Sequence, residues 1–392
     1  MIQKTSDSSA HLAAHRPAMH ILRGSTAIIL VALLSGCSMF SSPTKPQPAA
    51  LQTVSGAVSA RQAWSARIGP VNFPLDVAVV GSTVFVAGSD GSVAAVDART
   101  GGDVWRANVG TPIAAGVGSD GKIAAVVTQL NDVVALGDGR EMWRQKLSAQ
   151  AYTSPLVAGG RVFVLAADRS VSAFDGQTGR KLWTQQRPNE PLVLRQSGVM
   201  LAVGDTLVVG LSGRLAGLSP ANGNVLWEAP IASPRGINDV ERLVDLVGRV
   251  SRNGDIVCAR AFQATVGCVN AAKGNLLWTK PANGSQGIHG DDLSLFGTES
   301  DGTVQAWRRV DGERTWSTTG LRYRGLTAPL VVGRSVAIGD FAGFIHLLSR
   351  EDGSVLNRVA TDGSGISAAP VLAGNTLIAV TRIGGIYGFV PE

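Results

Sequence analysis

Five histidines and three cysteines are the side chains in this sequence best suited to metal or nucleophilic chemistry. Their spacing argues against both. Cys37 ends the apolar run "STAIILVALLSGC" that follows Arg23, and three of the histidines lie on its N-terminal side. An apolar core this short, closing on small residues, suits a signal peptide better than a permanent membrane span. Cleavage before Cys37 would place its thiol at a new N-terminus and leave only His289 and His346. These two lie in different repeat units, and neither has a Cys or His neighbour at zinc-ligand spacing. No Gly-x-Ser-x-Gly elbow is evident. Asp291 and Asp292 read as a solvated turn with too few oxygens for calcium. "GVGSDG" at 116–121 fits the letters of a dinucleotide loop, but no crossover helix pattern follows, and "GSDG" recurs at 88–91 as a hairpin turn. No catalytic, metal or cofactor-binding residue is therefore assigned. The formal charge is +6 with no dense Lys/Arg run, so nothing points to nucleic acid.

Stepping outward from those residues, the chain is organised by a repeat. "AVDARTGGDVW", "AFDGQTGRKLW", "GLSPANGNVLW" and "CVNAAKGNLLW" end at Trp105, Trp183, Trp227 and Trp278. Adding Trp64, Trp143 and Trp316 gives intervals of 41, 38, 40, 44, 51 and 38 residues. "SREDGSVLN" repeats the turn with Asn357 in place of the Trp, and Trp307 alone is off the register. Each unit carries four short strand signals with Gly and Asp or Asn at the joints, where positive φ is often needed. A period of about 40 residues with four strands is a propeller blade. Gly179 and its equivalents permit the turn between third and fourth strands, and the following Trp should pack on the neighbouring blade.

The two ends complete the count. Trp64 sits in a fourth strand with no blade before it, while the C-terminal segment supplies three strands and stops. The expected fold is all-β: an eight-bladed β-propeller of four-stranded antiparallel blades, closed by the N-terminal strand completing the last blade. The expected organisation is a signal peptide over 1–36, a lipid-anchored flexible linker over 37–60, Ser/Pro-rich at its start, and the propeller over 61–392. Met19, shortly before the apolar run, would also serve as a start.

"LSGC" at 34–37 resembles a bacterial lipobox, in which the Cys thiol is linked to diacylglycerol and the new amine is acylated. Ser38 follows where an Asp would resemble an inner-membrane retention signal, which favours the outer membrane. In the oxidising periplasm, Cys258 and Cys268 fall opposite each other across the hairpin "CARAFQATVGC", so a disulfide is expected, with two buried thiols as the other reading.

The turn pattern Ala-x-Asp-x-x-Thr-Gly-x-x-x-Trp, seen best at 173–183, resembles the repeat of pyrroloquinoline-quinone (PQQ) enzymes and their non-enzymatic relatives. Combined with a lipobox, it resembles the BamB family, lipoproteins of the outer-membrane β-barrel assembly machinery. "PLVLRQSG", with Leu192, Leu194 and Arg195, is similar to that family's Leu-x-Leu-Arg segment; "ERLVDLV", with Arg242, Leu243 and Asp245, is similar to its Arg-Leu-x-Asp-x-Asp segment. The second acidic position is Val247 here, so only Asp245 carries over. The resemblance implies a non-catalytic scaffold on the periplasmic face of the outer membrane, with no cofactor. Its implied partners are the POTRA domains of BamA, other Bam subunits, unfolded outer-membrane proteins and the inner leaflet of the outer membrane. A PQQ-dependent dehydrogenase would need a vicinal Cys pair, which the chain lacks. A propeller lipoprotein with another periplasmic partner is the other alternative.

Overall fold

The computed structural model describes residues 46–54, 56–187, 192–234, 237 and 243–391. Cys37 and Arg242 lie outside them. Among the described residues, strands form eight four-stranded antiparallel sheets. Blades 1 to 7 span 78–108, 113–146, 156–185, 200–230, 246–281, 288–318 and 330–360. Blade 8 takes its three inner strands from 371–391 and its outer strand from Ala60–Arg67. The first strands pack on one another in order, and Val371–Ala373 reaches Ala78–Val80, which closes the ring. The molecule is an eight-bladed propeller.

Burial follows from this arrangement. The second and third strands of blade 1, Thr83–Ala87 and Ser92–Asp97, are buried almost throughout, because neighbouring blades cover both faces. The outer strand, Asp103–Asn108, alternates toward solvent. "GVGSDG" lies on the first strand of blade 2, Ile113–Ser119, and the hairpin turn after it.

The repeated turn has two linked reasons for its residues. Asp175 Oδ1 accepts from the Thr178 amide (2.9 Å) and hydroxyl (2.8 Å), and the Gly179 amide donates to the Asp175 carbonyl at 2.9 Å. Gly179 has φ +71°, where a Cβ is disfavoured. A Cβ built there would also lie 2.6 Å from the Trp143 ring of the preceding blade. The Trp143 Nε1–H donates to the Gly176 carbonyl of the same turn at 2.8 Å. Trp64, Trp183, Trp278 and Trp316 donate to Ala98, Pro220, Arg309 and Arg350 in the corresponding turns, at 2.8–2.9 Å. Trp64 thereby seals blade 8 against blade 1.

The absence of the eighth Trp has a physical reason. Blade 8 has no turn between third and fourth strands, since its fourth strand comes from the other end of the chain. Asn357 instead donates from Nδ2 to the Val58 carbonyl at 2.6 Å. Other contacts hold the segment before it. Arg324 Nη1 donates to Ala49 O (3.1 Å), Arg358 Nη2 to Gln52 O (3.0 Å) and Arg334 to Ala57 O, while the Ala49 amide donates to Arg322 O at 2.9 Å. The expected flexible linker runs to residue 60; within it Ala49, Gln52, Ala57 and Val58 are hydrogen-bonded to blade 7 and to the connector before it. A segment with no periodicity of its own can still have its carbonyls satisfied by a row of arginines.

Candidate functional site

The two histidines are built into the scaffold. His346 is buried, with Nε2 3.0 Å from Asp340 Oδ2. The same carboxylate oxygen accepts from Arg324 Nε at 2.7 Å, and Arg358 Nε donates to His346 Nδ1 at 3.3 Å. Burial pushes the His346 imidazole down, the Asp340 carboxylate opposing. His289 Nδ1 accepts from the Val331 amide at 3.1 Å. Burial, with Arg249 and Arg309 nearby, pushes its pKa down to about 3. Among the described residues no three His, Cys, Asp or Glu side chains converge as a metal site. Cys258 and Cys268 are paired across the blade 5 hairpin and joined as a disulfide, with Cα atoms 4.0 Å apart.

A second constellation lies where outer strands connect to the next blade's first strand. Because strands alternate in direction, these connectors share a face of the ring with the turns between second and third strands. Three such elements meet at Asp245. It sits in the connector from blade 4 to blade 5, just before Leu246–Asn253, and is only 6% exposed. Its Oδ1 takes an ion pair from Arg169 Nη1 at 2.5 Å, and its Oδ2 accepts from the Leu194 amide at 2.9 Å. Arg169 Nη2 donates in turn to the Leu192 carbonyl at 2.9 Å. Arg169 belongs to the turn between Arg161–Leu165 and Val171–Asp175 of blade 3, where it has φ +63°. A non-glycine residue pays a steric penalty in that region. Asn131, Ser212 and Gln263 adopt it in the same turn of other blades, so the turn sets the backbone and the carboxylate holds the side chain.

The clamp shapes what stands outside it. Leu192 and Val193 are 39% and 36% exposed, and Leu194 is half-buried. Arg195 is exposed, with its guanidinium over the Tyr152 ring at 5.9 Å, so its position is held by an aromatic face. The structure thus brings Leu192, Leu194, Arg195 and Asp245 together, in different roles. The first three form or flank a surface, and Asp245 is an interior tie. Val247 is 2% exposed on the first strand of blade 5, so that position contributes nothing to the surface. Arg169, Tyr152 and Val193 escape sequence reasoning. "AADRS" at 166–170 reads as one more polar turn; only the distant carboxylate distinguishes its arginine.

A family model described as outer membrane protein assembly factor BamB matches residues 89–318. A protein of that name from Burkholderia pseudomallei is 38% identical over 366 residues, which cover 92% of this chain and 96% of the relative. One from Bordetella pertussis is 34% identical over 369 residues, covering 93% and 96%. Among solved structures, BamB from Moraxella catarrhalis superposes with a TM-score of 0.77 at 23% identity, over 85% of this chain and all of that one. Alike to these relatives along nearly all its length, the chain belongs to the BamB family of outer membrane protein assembly factors.

Proposed function

We propose that this chain is a non-catalytic scaffold that helps assemble β-barrel proteins into the outer membrane. In this reading Cys37 carries the lipid anchor, holding the propeller at the periplasmic face. The surface of Leu192, Val193 and Arg195, with Leu194 beneath it, docks on the POTRA region of BamA. The names of the relatives support the assembly role, and the local geometry supports the docking role. Exposed aliphatic side chains beside an arginine held over an aromatic ring match the make-up of an interface anchor. The observation that carries the reading is the buried Asp245–Arg169 pair, which ties the exposed segment at Leu192–Arg195 to the ring through the Leu192 carbonyl and the Leu194 amide. A rigid ring of this kind also holds other Bam subunits or unfolded clients without chemistry of its own.

The test is affinity capture from detergent-solubilised outer membranes. The wild-type chain should retain BamA. The double variant Leu192→Ala, Arg195→Ala should lose roughly tenfold or more of that capture while melting at the wild-type temperature. Unchanged capture would show that the docking surface lies elsewhere; absence of BamA from the wild-type eluate would remove the partner. Incorporation of labelled palmitate, abolished by Cys37→Ser, tests the anchor separately.

A further inference from the structure

The axis of the ring holds a polar constellation that the docking surface does not use. All eight blades contribute to two adjoining cavities, of about 300 Å³ and 200 Å³. They share a waist at Asp76, Ser197, Arg249 and Ala369. Arg249 is on the first strand of blade 5 and donates from Nη1 across the axis to the Pro370 carbonyl, entering blade 8, at 2.7 Å. Among the described residues this is its one hydrogen bond, and no carboxylate is within ion-pair reach. Asp76, entering blade 1, accepts on Oδ2 from Ser154 Oγ at 2.8 Å and Ser197 Oγ at 2.6 Å. Its Oδ1 has no hydrogen bond among the described residues. Burial draws the Arg249 guanidinium down to about 10, against the opposing pull of the Asp76 charge.

A cation and a carboxylate therefore line one axial cavity without a hydrogen bond between them, each with polar atoms left over. Half-buried charges in a cavity gain most from a guest that supplies the opposite charge to each. A simple anion would satisfy Arg249 but meet repulsion from Asp76, and a simple cation would have the reverse difficulty. A single carboxylate is too poor a donor set for a metal. A molecule carrying both charges a few bonds apart satisfies both. The walls beside the waist are short: Leu75, Ala328, Ala368 and Ala369, with hydroxyls from Thr327 and Ser367. The smaller cavity has the volume of about seven waters, which suits a small guest.

We propose that the axial waist is a binding site for a small zwitterion, a free amino acid or dipeptide with small side chains. Its carboxylate sits on the open edge of Arg249 and its ammonium on Asp76 Oδ1. The site is independent of the docking surface and of the assembly role.

The purified full-length chain, titrated with L-alanyl-L-alanine and separately with glycine, decides it by saturation-transfer NMR and calorimetry. Sodium acetate and ethylamine, each carrying one charge, are the comparison arms. At least one zwitterion should bind, and acetate and ethylamine should bind roughly tenfold more weakly or worse. Arg249→Gln and Asp76→Asn should each weaken the zwitterion by a similar factor. Ala369→Leu, which fills the waist and removes no charge, should block binding and keeps the test decisive if a charge variant fails to fold. Absence of binding by both zwitterions overturns the proposal. So does acetate binding as tightly as the dipeptide, which would make this a plain anion site. Binding indifferent to all three variants places the guest elsewhere and overturns it too.

Discussion

The girdle of outer-strand tryptophans and the clamp at Asp245 are built from opposite strategies. In the girdle, one contact recurs from blade to blade: an indole lies on a turn glycine and donates to a carbonyl beside it. At the clamp, three different elements are joined by one buried ion pair, and Arg324–Asp340 ties another connector to a turn with different residues and partners. Repetition serves closure, since most blades meet the next through the same indole and turn. Such pairs differ in residues and position from one connector to the next, so what each holds is local, and at Asp245 it is a particular loop in a particular shape.

This contrast can be broken at several points. Asp245→Ala takes the buried carboxylate away from Arg169 Nη1 and from the Leu194 amide, which should cost about 3–5 kcal/mol of stability in urea unfolding. The same variant should abolish BamA capture; a chain that loses capture but keeps wild-type stability would mean the pair is solvated and not an interior tie. Gly179→Ala tests the girdle. The left-handed backbone and the 2.6 Å approach to Trp143 act together, for about 2–4 kcal/mol, with capture retained. Gly254→Ala separates the two effects: its φ is +57° but nothing lies within 4 Å of a built Cβ, so it should cost about 1–2 kcal/mol. Equal losses at the two glycines would deny the indole contact any share.

The disulfide is a third kind of link, within a blade. Replacing Cys258 and Cys268 together by Ala should remove about 2–3 kcal/mol, because the closed loop is short, and leave capture intact. The smallest effect is read per pH unit. His289 is held neutral in the fold with a pKa of about 3, well below the ordinary value near 6.5. Between those limits the unfolded chain binds a proton that the folded chain refuses. Stability from this group is therefore present above about pH 6.5 and is lost as pH falls toward 3, at up to ~1.4 kcal/mol per unit. His289→Gln should flatten the urea midpoint against pH in that window. A slope unaltered by the substitution would assign the acid lability to other groups.

The ring architecture was largely legible in the residues. A Trp every 38 to 51 residues behind a Gly turn defines blades, and a lone fourth strand at one end with three strands at the other defines closure. Such features are local and periodic, and period is what a sequence displays. The second use of Gly179, as the floor under the Trp143 ring, was not legible, because the two residues meet only through the packing of successive blades. Nor was the seating of Ala49, Gln52, Ala57 and Val58, where the donors Arg324, Arg334, Asn357 and Arg358 come from the far end of the chain.

The site divides in the same way. The segments around Leu192 and Asp245 stood out by resemblance, but whether each side chain faces outward or inward did not. Asp245 looks like a surface acid until Arg169, 76 residues away, is found against it. Arg249 and Asp76 look like two unrelated charges until closure sets both on the axis. By itself the sequence determined the repeat, the blade count and the manner of closing, since those follow from spacing along the chain. Tertiary structure alone decided which charges are paired, which are buried and which are left facing a cavity, because those depend on distances between residues that only the closed ring brings together.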